Sequence, residues 1–432
     1  MTALTPIRTK AETALMAQYE ALRRDLAKNK ASSAAREAAI AGFAANGLPH
    51  RRIEAYHYTD LRNLLRDAAP LAHRPSEKAG HSVEAGRFLG DIRAHEIIFV
   101  NGRLMDAGKL ASRLPKGVSI TVKPDTAPMI LDPSDAVVAL NTALSQENVS
   151  IEIGNGVTLE HPLHLAFVQD AGSPQAVFAR VSVRVGDAAN ATLIESHEGP
   201  NAIATQSNVG VEIAAADRAR VEHVRVNAEG DKAFSLSSLG LSLGHDASVY
   251  SLNVILGAAI SRHQILARFA GENAKLRLNG VGMLDGERHA DVTLVVDHAV
   301  PGGESRELFK TAVDERSSGV FQGKIIVRPH AQKTDGKMMS AALLLSEDAS
   351  MSNKPELEIF ADDVQCGHGA TCGALDDNLL FYLMARGIPR RDAQALLIRS
   401  FLGEATEEVS SEELREALGG LIDAWLARRA EA

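Results

Sequence analysis

The stretches "GDAANATL" (186–193), "AADRARV" (215–221), "GHDASV" (244–249) and "GENAKL" (271–276) repeat one phrase, a polar turn followed by Ala-x-(Leu/Val). Their alanines, Ala191, Ala219, Ala247 and Ala274, recur at spacings of 28, 28 and 27. Fainter echoes stand at "SSGVF" near Gly319 and "SEDASM" at Ala349. Around them lie short β-branched runs such as "ARVSVRV", "VGVEI" and "KIIVRP", broken by Gly, Asn and Asp, which is strand grammar. A fixed period of this size with two strands per unit is what a β-solenoid produces. Each coil lies on the next at roughly 4.7–4.9 Å, so residues one period apart stack. A sandwich needs no constant period. The pattern predicts a mainly β protein, a parallel β-helix over residues 94–373.

Helical texture flanks that core. Leu15, Tyr19, Leu22 and Leu26 recur at helical spacing, and an Ala-rich stretch over 34–46 closes at Gly47 and Pro49. Residues 1–93 therefore read as an N-terminal helical region, with 70–93 as linker. After Gly373, Leu379, Leu380, Leu383 and Met384 mark a helix closed by Arg386-Gly387. Pro389 opens a second, with Ala393, Leu396, Leu397 and Phe401 on one face. A capping box, Ser410-x-x-Glu413, starts a third whose stripe is Leu414, Ala417, Leu418, Leu421, Ile422, Trp425 and Leu426. Residues 374–432 thus read as a C-terminal helical domain. The last stripe is wide and carries the only Trp. Trp425, Leu421 and Leu418 are therefore candidates for a partner contact, as well as for the domain's own core.

Composition narrows the function classes. The chain has 432 residues, 45% apolar and 23% charged, with 46 basic against 55 acidic side chains. Basic blocks and basic–aromatic interleaving are missing, so no nucleic-acid partner is expected. No apolar run nears the roughly 20 residues that span a bilayer, and "MTALTPIRTKAETALMAQYE" has no apolar h-region. With two cysteines only, the chain is expected to be cytoplasmic and free of disulfides. "GVFQGK" (319–324) lacks Walker spacing, and neither a Gly-x-Ser-x-Gly elbow nor a His-Glu-x-x-His helix occurs.

Both cysteines lie in "ADDVQCGHGATCG" (361–373), with His368 between Cys366 and Cys372. On a strand, alternation puts Cys366, His368, Ala370 and Cys372 on one face. The group reads as a metal site, two buried thiols, or half a site completed by another chain. Four closed ligands for zinc are not present in this segment. Asp362 and Asp363 would face opposite ways on a strand and cannot flank one bond as a glycosidase pair does, so a turn role fits them better. Adding one period of 28 maps Glu195 onto His223 and Ser251, and His197 onto Arg225 and Asn253. If the coils stack so, these form two polar ladders, either solvated or lining the solenoid.

The stretch "LLLSEDASMSNKPELEIFADDVQCGHGATCGALDDNLLFYLMARGIPRRDAQALLIRSFLGE" (343–404) resembles the C-terminal signature of the SufB/SufD family, scaffold proteins of the SUF iron–sulfur cluster assembly machinery. "LPHRRIEAYHYTDL" (48–61), "VVALNTALSQENVSIEIGNGVTLEHPLHL" (137–165) and "GVFQGKIIVRPHAQKTD" (319–335) agree, in order. The absence of any cysteine before Cys366, and "RRIEAYHYT", resemble the SufD branch. The resemblance implies a right-handed parallel β-helix between helical ends, without catalytic activity of its own. It implies pairing with SufB through edge strands, and binding of the ATPase SufC on the C-terminal helices. It also implies transient iron or a nascent iron–sulfur cluster at the SufB–SufD interface, where His368 works with a SufB cysteine and Cys366 matches the motif's cysteine. Cys372 and Met338 depart from the family pattern and inherit no role. Paired edges would also allow a homodimer. The competing readings are a β-helix enzyme acting on carbohydrate and a purely structural solenoid.

Overall fold

A computed structural model describes residues 8–28, 34–75, 85–90, 92–110, 112–123 and 127–431. From Leu163 to Gly373 successive strands alternate between two sheets, one of ten strands and one of nine, and from Ala176 to Leu344 each pairs in parallel with the strands two before and two after it. This is the parallel β-helix expected. Antiparallel pairing occurs at the N-terminal end, where His95–Val100 meets Arg103–Leu104 and Val118–Lys123 meets Asn148–Ile153.

The repeated phrase forms one corner of each coil. A residue with positive φ (Ala188, Arg218, Asp246 or Asn273) is followed by an alanine with no exposed surface: Ala189, Ala219, Ala247 or Ala274. The turns also bond to each other, with Ala188 N–H donating to Asp217 O (2.8 Å) and Arg218 N–H to His245 O (2.7 Å). A larger side chain after the left-handed residue would push stacked coils apart. The spacing read from sequence needs one correction: Ala189, not Ala191, sits beneath Ala219, because Asn190 pairs with Arg220. The first interval is therefore 30 residues, and the next two are 28 and 27. The extra pair lies in the connection 199–205, which is longer than its counterpart 229–233. An even slip preserves which side chains face inward.

Inside the coils, the half near these turns is apolar, packed by Val181, Val211, Leu241, Ala267 and their neighbours. The other half is polar over the middle coils. Outside, two helical layers cover the sheets. Helices α1 (Lys10–Lys28) and α2 (Ala34–Asn46) pack Leu15, Tyr19, Leu22, Ile40 and Phe43 against α3 (Ala136–Leu144). The side chain of Leu26 lies outside the described residues. The region containing α3 read as strands, but Asp135 caps it by accepting from Val137 N–H (2.9 Å) and Val138 N–H (3.1 Å), and burial of its whole surface does the rest.

The segment 49–65 lies across the nine-stranded sheet as a latch. Tyr56 donates to Asp135 Oδ2 (2.6 Å), and the Arg262 guanidinium, paired with Asp291, stands 4.1 Å from the Tyr56 ring centroid. At the C-terminus, α4 (Asp377–Met384), α5 (Arg390–Gly403) and α6 (Glu412–Glu431) follow the last strand. Ser411, rather than Ser410, accepts the Leu414 N–H of α6, because Ser410 is held by Glu222 of the solenoid through its N–H (2.7 Å) and hydroxyl (2.6 Å). No described helix is long and apolar enough to cross a membrane.

Candidate functional site

At the C-terminal end each sheet finishes on a strand with one neighbour only: Ser350–Ile359 in the nine-stranded sheet and Gln365–Gly373 in the ten-stranded one. The solenoid is thus open at this end. On Gln365–Gly373, Cys366, His368, Ala370 and Cys372 pair with Gly336, Met338, Ser340 and Ala342. They continue the inward-facing columns and form the rim of the open end. Cys366 is half-buried against the core, while His368 and Cys372 are exposed. Burial raises the Cys366 thiol above its ordinary pKa, tempered by the Gly336 N–H, and burial raises Cys372 as well.

A thiol and an imidazole two residues apart at an open edge can hold one side of an iron ion or cluster. No group of three or more His, Cys, Asp or Glu side chains among the described residues is placed to hold a metal ion. A closed site therefore needs ligands from elsewhere. Asp362 and Asp363 lie in the turn before the strand: Asp363 pairs with Lys333, accepts the Lys333 N–H (2.7 Å) and donates its own N–H to Gln332 (2.9 Å). Met338 is buried and apolar in its packing.

The polar ladders exist, with a different register. In the paired strands Glu195 lies beside Arg225 and His197 beside Asn227, because the first coil is two residues longer than the period implied. His223 is still reached diagonally. Glu195 binds His197 Nε2 (2.5 Å), His223 Nε2 (3.0 Å) and Arg225 Nε (3.3 Å), all fully buried. Arg225 also donates to Asn253 (2.8 Å) and Ser237 (3.0 Å), and Ser237 reaches His263 (2.8 Å). Burial would push the Glu195 carboxyl up, yet hydrogen bonds from His197 and His223 outweigh it and hold the group well below the carboxylate range. Burial depresses His197 and His263, and the Arg225 charge adds to both effects. This is a lining, not a solvated face.

The C-terminal stripe faces inward. Trp425 is 1% exposed, and Leu414, Leu418, Leu421, Ile422 and Leu426 join it against Ile194, Val224, Leu252, Val281 and Ala312 on the outer face of the ten-stranded sheet. Trp425, Leu421 and Leu418 therefore hold α6 to its own chain, and a partner cannot reach them as expected from sequence. The exposed apolar surface lies on α4 and α5 instead. Phe381 is 72% exposed, with Leu379, Tyr382, Met384 and Leu396 also in solvent. The signal was present in "LLFYLM" (379–384), six apolar residues in succession that cannot share one helix face.

A parallel β-solenoid with helical ends, presenting a Cys/His pair on the edge strand of its C-terminal end, is the class of protein the fold defines. Comparison with known proteins agrees. Residues 167–401 match the SUF system FeS cluster assembly, SufBD core domain, and residues 9–165 the SufBD protein N-terminal region. The chain belongs to the SufBD family. It is 30% identical to the iron-sulfur cluster assembly protein SufD of Escherichia coli (strain K12) over 383 residues, 86% of this chain and 87% of that protein. An iron-sulfur cluster assembly SufBD family protein of Synechocystis sp. is 28% identical over 404 residues (86% of each chain). One from Mycobacterium tuberculosis (strain ATCC 25618 / H37Rv) is 28% identical over 391 residues, 87% of this chain and 89% of that protein. These matches place the chain in iron–sulfur cluster assembly.

Proposed function

We propose that this chain is the SufD-type, non-catalytic scaffold subunit of a cytoplasmic SUF complex. It pairs with SufB through its open solenoid edge, and ATP hydrolysis belongs to the bound SufC. His368 and Cys366 supply half of a transient site for iron or a nascent cluster, and a SufB cysteine supplies the other half. The observation that carries this reading is the position of Cys366 and His368 on the unpaired terminal strand of the ten-stranded sheet. Ligands there face a partner's strand and cannot be completed from within the described chain. The ATPase dock moves from Trp425 to the exposed apolar face of α4 and α5, with Phe381 at its centre.

Two measurements test this. Pull-down of the chain from its native host should bring SufB and SufC with it; recovery of neither would leave a carbohydrate-active or purely structural solenoid as the better reading. His368→Ala should preserve the fold and the complex while impairing cluster assembly, because Ala offers neither a ligand nor a proton carrier. An exposed edge histidine adds little to the core. Unchanged cluster formation by the substituted complex would remove His368 from the site.

A further inference from the structure

Glu307 forms no ion pair among the described residues. It lies on Glu304–Val313, where alternation with Ser305 and Phe309 turns it into the solenoid. It is 2% exposed, and among the described residues neither carboxyl oxygen has a hydrogen-bond partner within 3.5 Å. The adjacent inward hydroxyl, Ser305, is engaged by His298 Nε2 at 3.0 Å. Burial pushes the Glu307 carboxyl up to about 8, with Ser305 and Arg306 only moderating the shift. Arg306, on the outer face, is paired with Asp335 at 2.6 Å. The column neighbours of Glu307 are Leu278 and Met338, so the core would accept an apolar side chain here.

That column leads to the open edge. Glu307 pairs with Met338, and Met338 with His368. In the next column Ser305 is followed by Gly336 and Cys366, and Gly336 places no side chain between them, only the flank of Ile325. The titratable groups around Glu307 are thus His298, Cys366 and His368 on the inward side, with Arg306 and Asp335 outside.

We propose that Glu307 is the inner counter-charge of the edge site, a positioning carboxyl that compensates a divalent cation taken up at Cys366 and His368. This rests on the reading of that pair given above. With the site empty, Glu307 rests as a neutral acid and leaves no unpaired charge at its own position. Uptake of a divalent ion expels one proton from the thiol and one from the carboxyl, and the thiolate and carboxylate left behind balance its two charges. Two strand spacings, roughly 9–10 Å, separate Glu307 from His368, so it acts through its field and not as a ligand. At an effective dielectric constant of about 20, a charge at that distance changes affinity by about one to two powers of ten.

The test uses the complex of this chain with SufB and SufC, titrated without oxygen with Co²⁺ and read by thiolate-to-cobalt absorption. Proton release is measured by calorimetry in buffers of different ionisation enthalpy. Glu307→Gln should weaken Co²⁺ binding about tenfold and release one proton fewer per ion, and Glu307→Asp should restore both in part. If Glu307→Gln binds Co²⁺ and releases protons as the unsubstituted complex does, while His368→Ala loses the ion, this inference is overturned and the edge site stands. If His368→Ala also binds unchanged, the edge reading fails and this proposal fails with it.

Discussion

Replacing Glu307 by Gln should make the fold more stable while making the edge site weaker. Its folded pKa, about 8, lies above the ordinary carboxyl value, so its contribution is fully present below that ordinary value and is lost as pH rises towards 8. The unsubstituted chain therefore loses about 1.4 kcal/mol per pH unit across that window relative to Glu307→Gln. Urea denaturation at pH 5 and pH 8 checks the sign: the gap should be near zero at the lower pH and on the order of a few kcal/mol at the higher. An equal gap at both would contradict the buried acid. Arg225→Ala works in the opposite sense. It removes the fixed positive charge that stands 3.3 Å from the Glu195 carboxylate and leaves only His197 and His223 on it, and should cost about 3–5 kcal/mol by equilibrium unfolding. A loss within about 0.5 kcal/mol, as for a surface change, would sink this. Sequence exposed only part of these residues. Cys366 and His368 were legible because alternation and a long family block point to the same pair. Glu195 and His223 were legible as neighbours, but their register was not, since one corner connection absorbs two extra residues without changing which side chains face inward. Glu307 was invisible because its lack of partners appears only once the coils are stacked.

At the scale of elements, α4 and α6 exchange the roles their patterns suggest. The stripe of α6 has the width of an interface but buries Trp425 against the sheet, leaving its indole Nε1 without a partner among the described residues. The short α4 buries Leu380 alone and leaves Phe381 and Tyr382 in solvent. A hydrophobic pattern reports that a helix has an apolar face, not whether its own chain or another covers it. Paired substitutions separate the two. Trp425→Ala should destabilise the C-terminal helices by about 3–5 kcal/mol, as emptying a large core site does. Phe381→Ser should leave the melting temperature unchanged and abolish SufC capture in a pull-down. SufC retained at full strength by Phe381→Ser would place the ATPase elsewhere.

For the whole molecule, the two edge strands at the C-terminal end of the solenoid are not equivalent. In a parallel ladder alternate residues bond to opposite neighbours. Ser350 N–H bonds inward to Ser317 O (3.1 Å), so the backbone nitrogens of Met351, Asn353 and Pro355 face the open edge. Pro355 has no hydrogen to offer there, and Lys354, Glu356 and Glu358 add charge, devices that blunt an edge against pairing. Gln365 N–H likewise bonds inward, to Thr334 O (2.8 Å), which leaves the N–H groups of Cys366, His368, Ala370 and Cys372 pointing outward. The strand Gln365–Gly373 carries no proline and no Asp, Glu, Lys or Arg. End-to-end joining should therefore be governed by the ten-stranded sheet, the one that bears the Cys/His pair, so that pairing and ligand placement share a single strand. Ala370→Pro isolates this. It removes one outward N–H, leaves the inward ladder to Asp335–Leu344 intact, and retains both Cys366 and His368. Size-exclusion chromatography with light scattering should show the substituted chain folded yet failing to join SufB. An equivalent block in the other sheet, such as Asn353→Pro, should have a much smaller effect, because that edge is already interrupted at Pro355. If Asn353→Pro proves the more damaging, pairing runs through the nine-stranded sheet, and the Cys/His strand is its neighbour and not its seam.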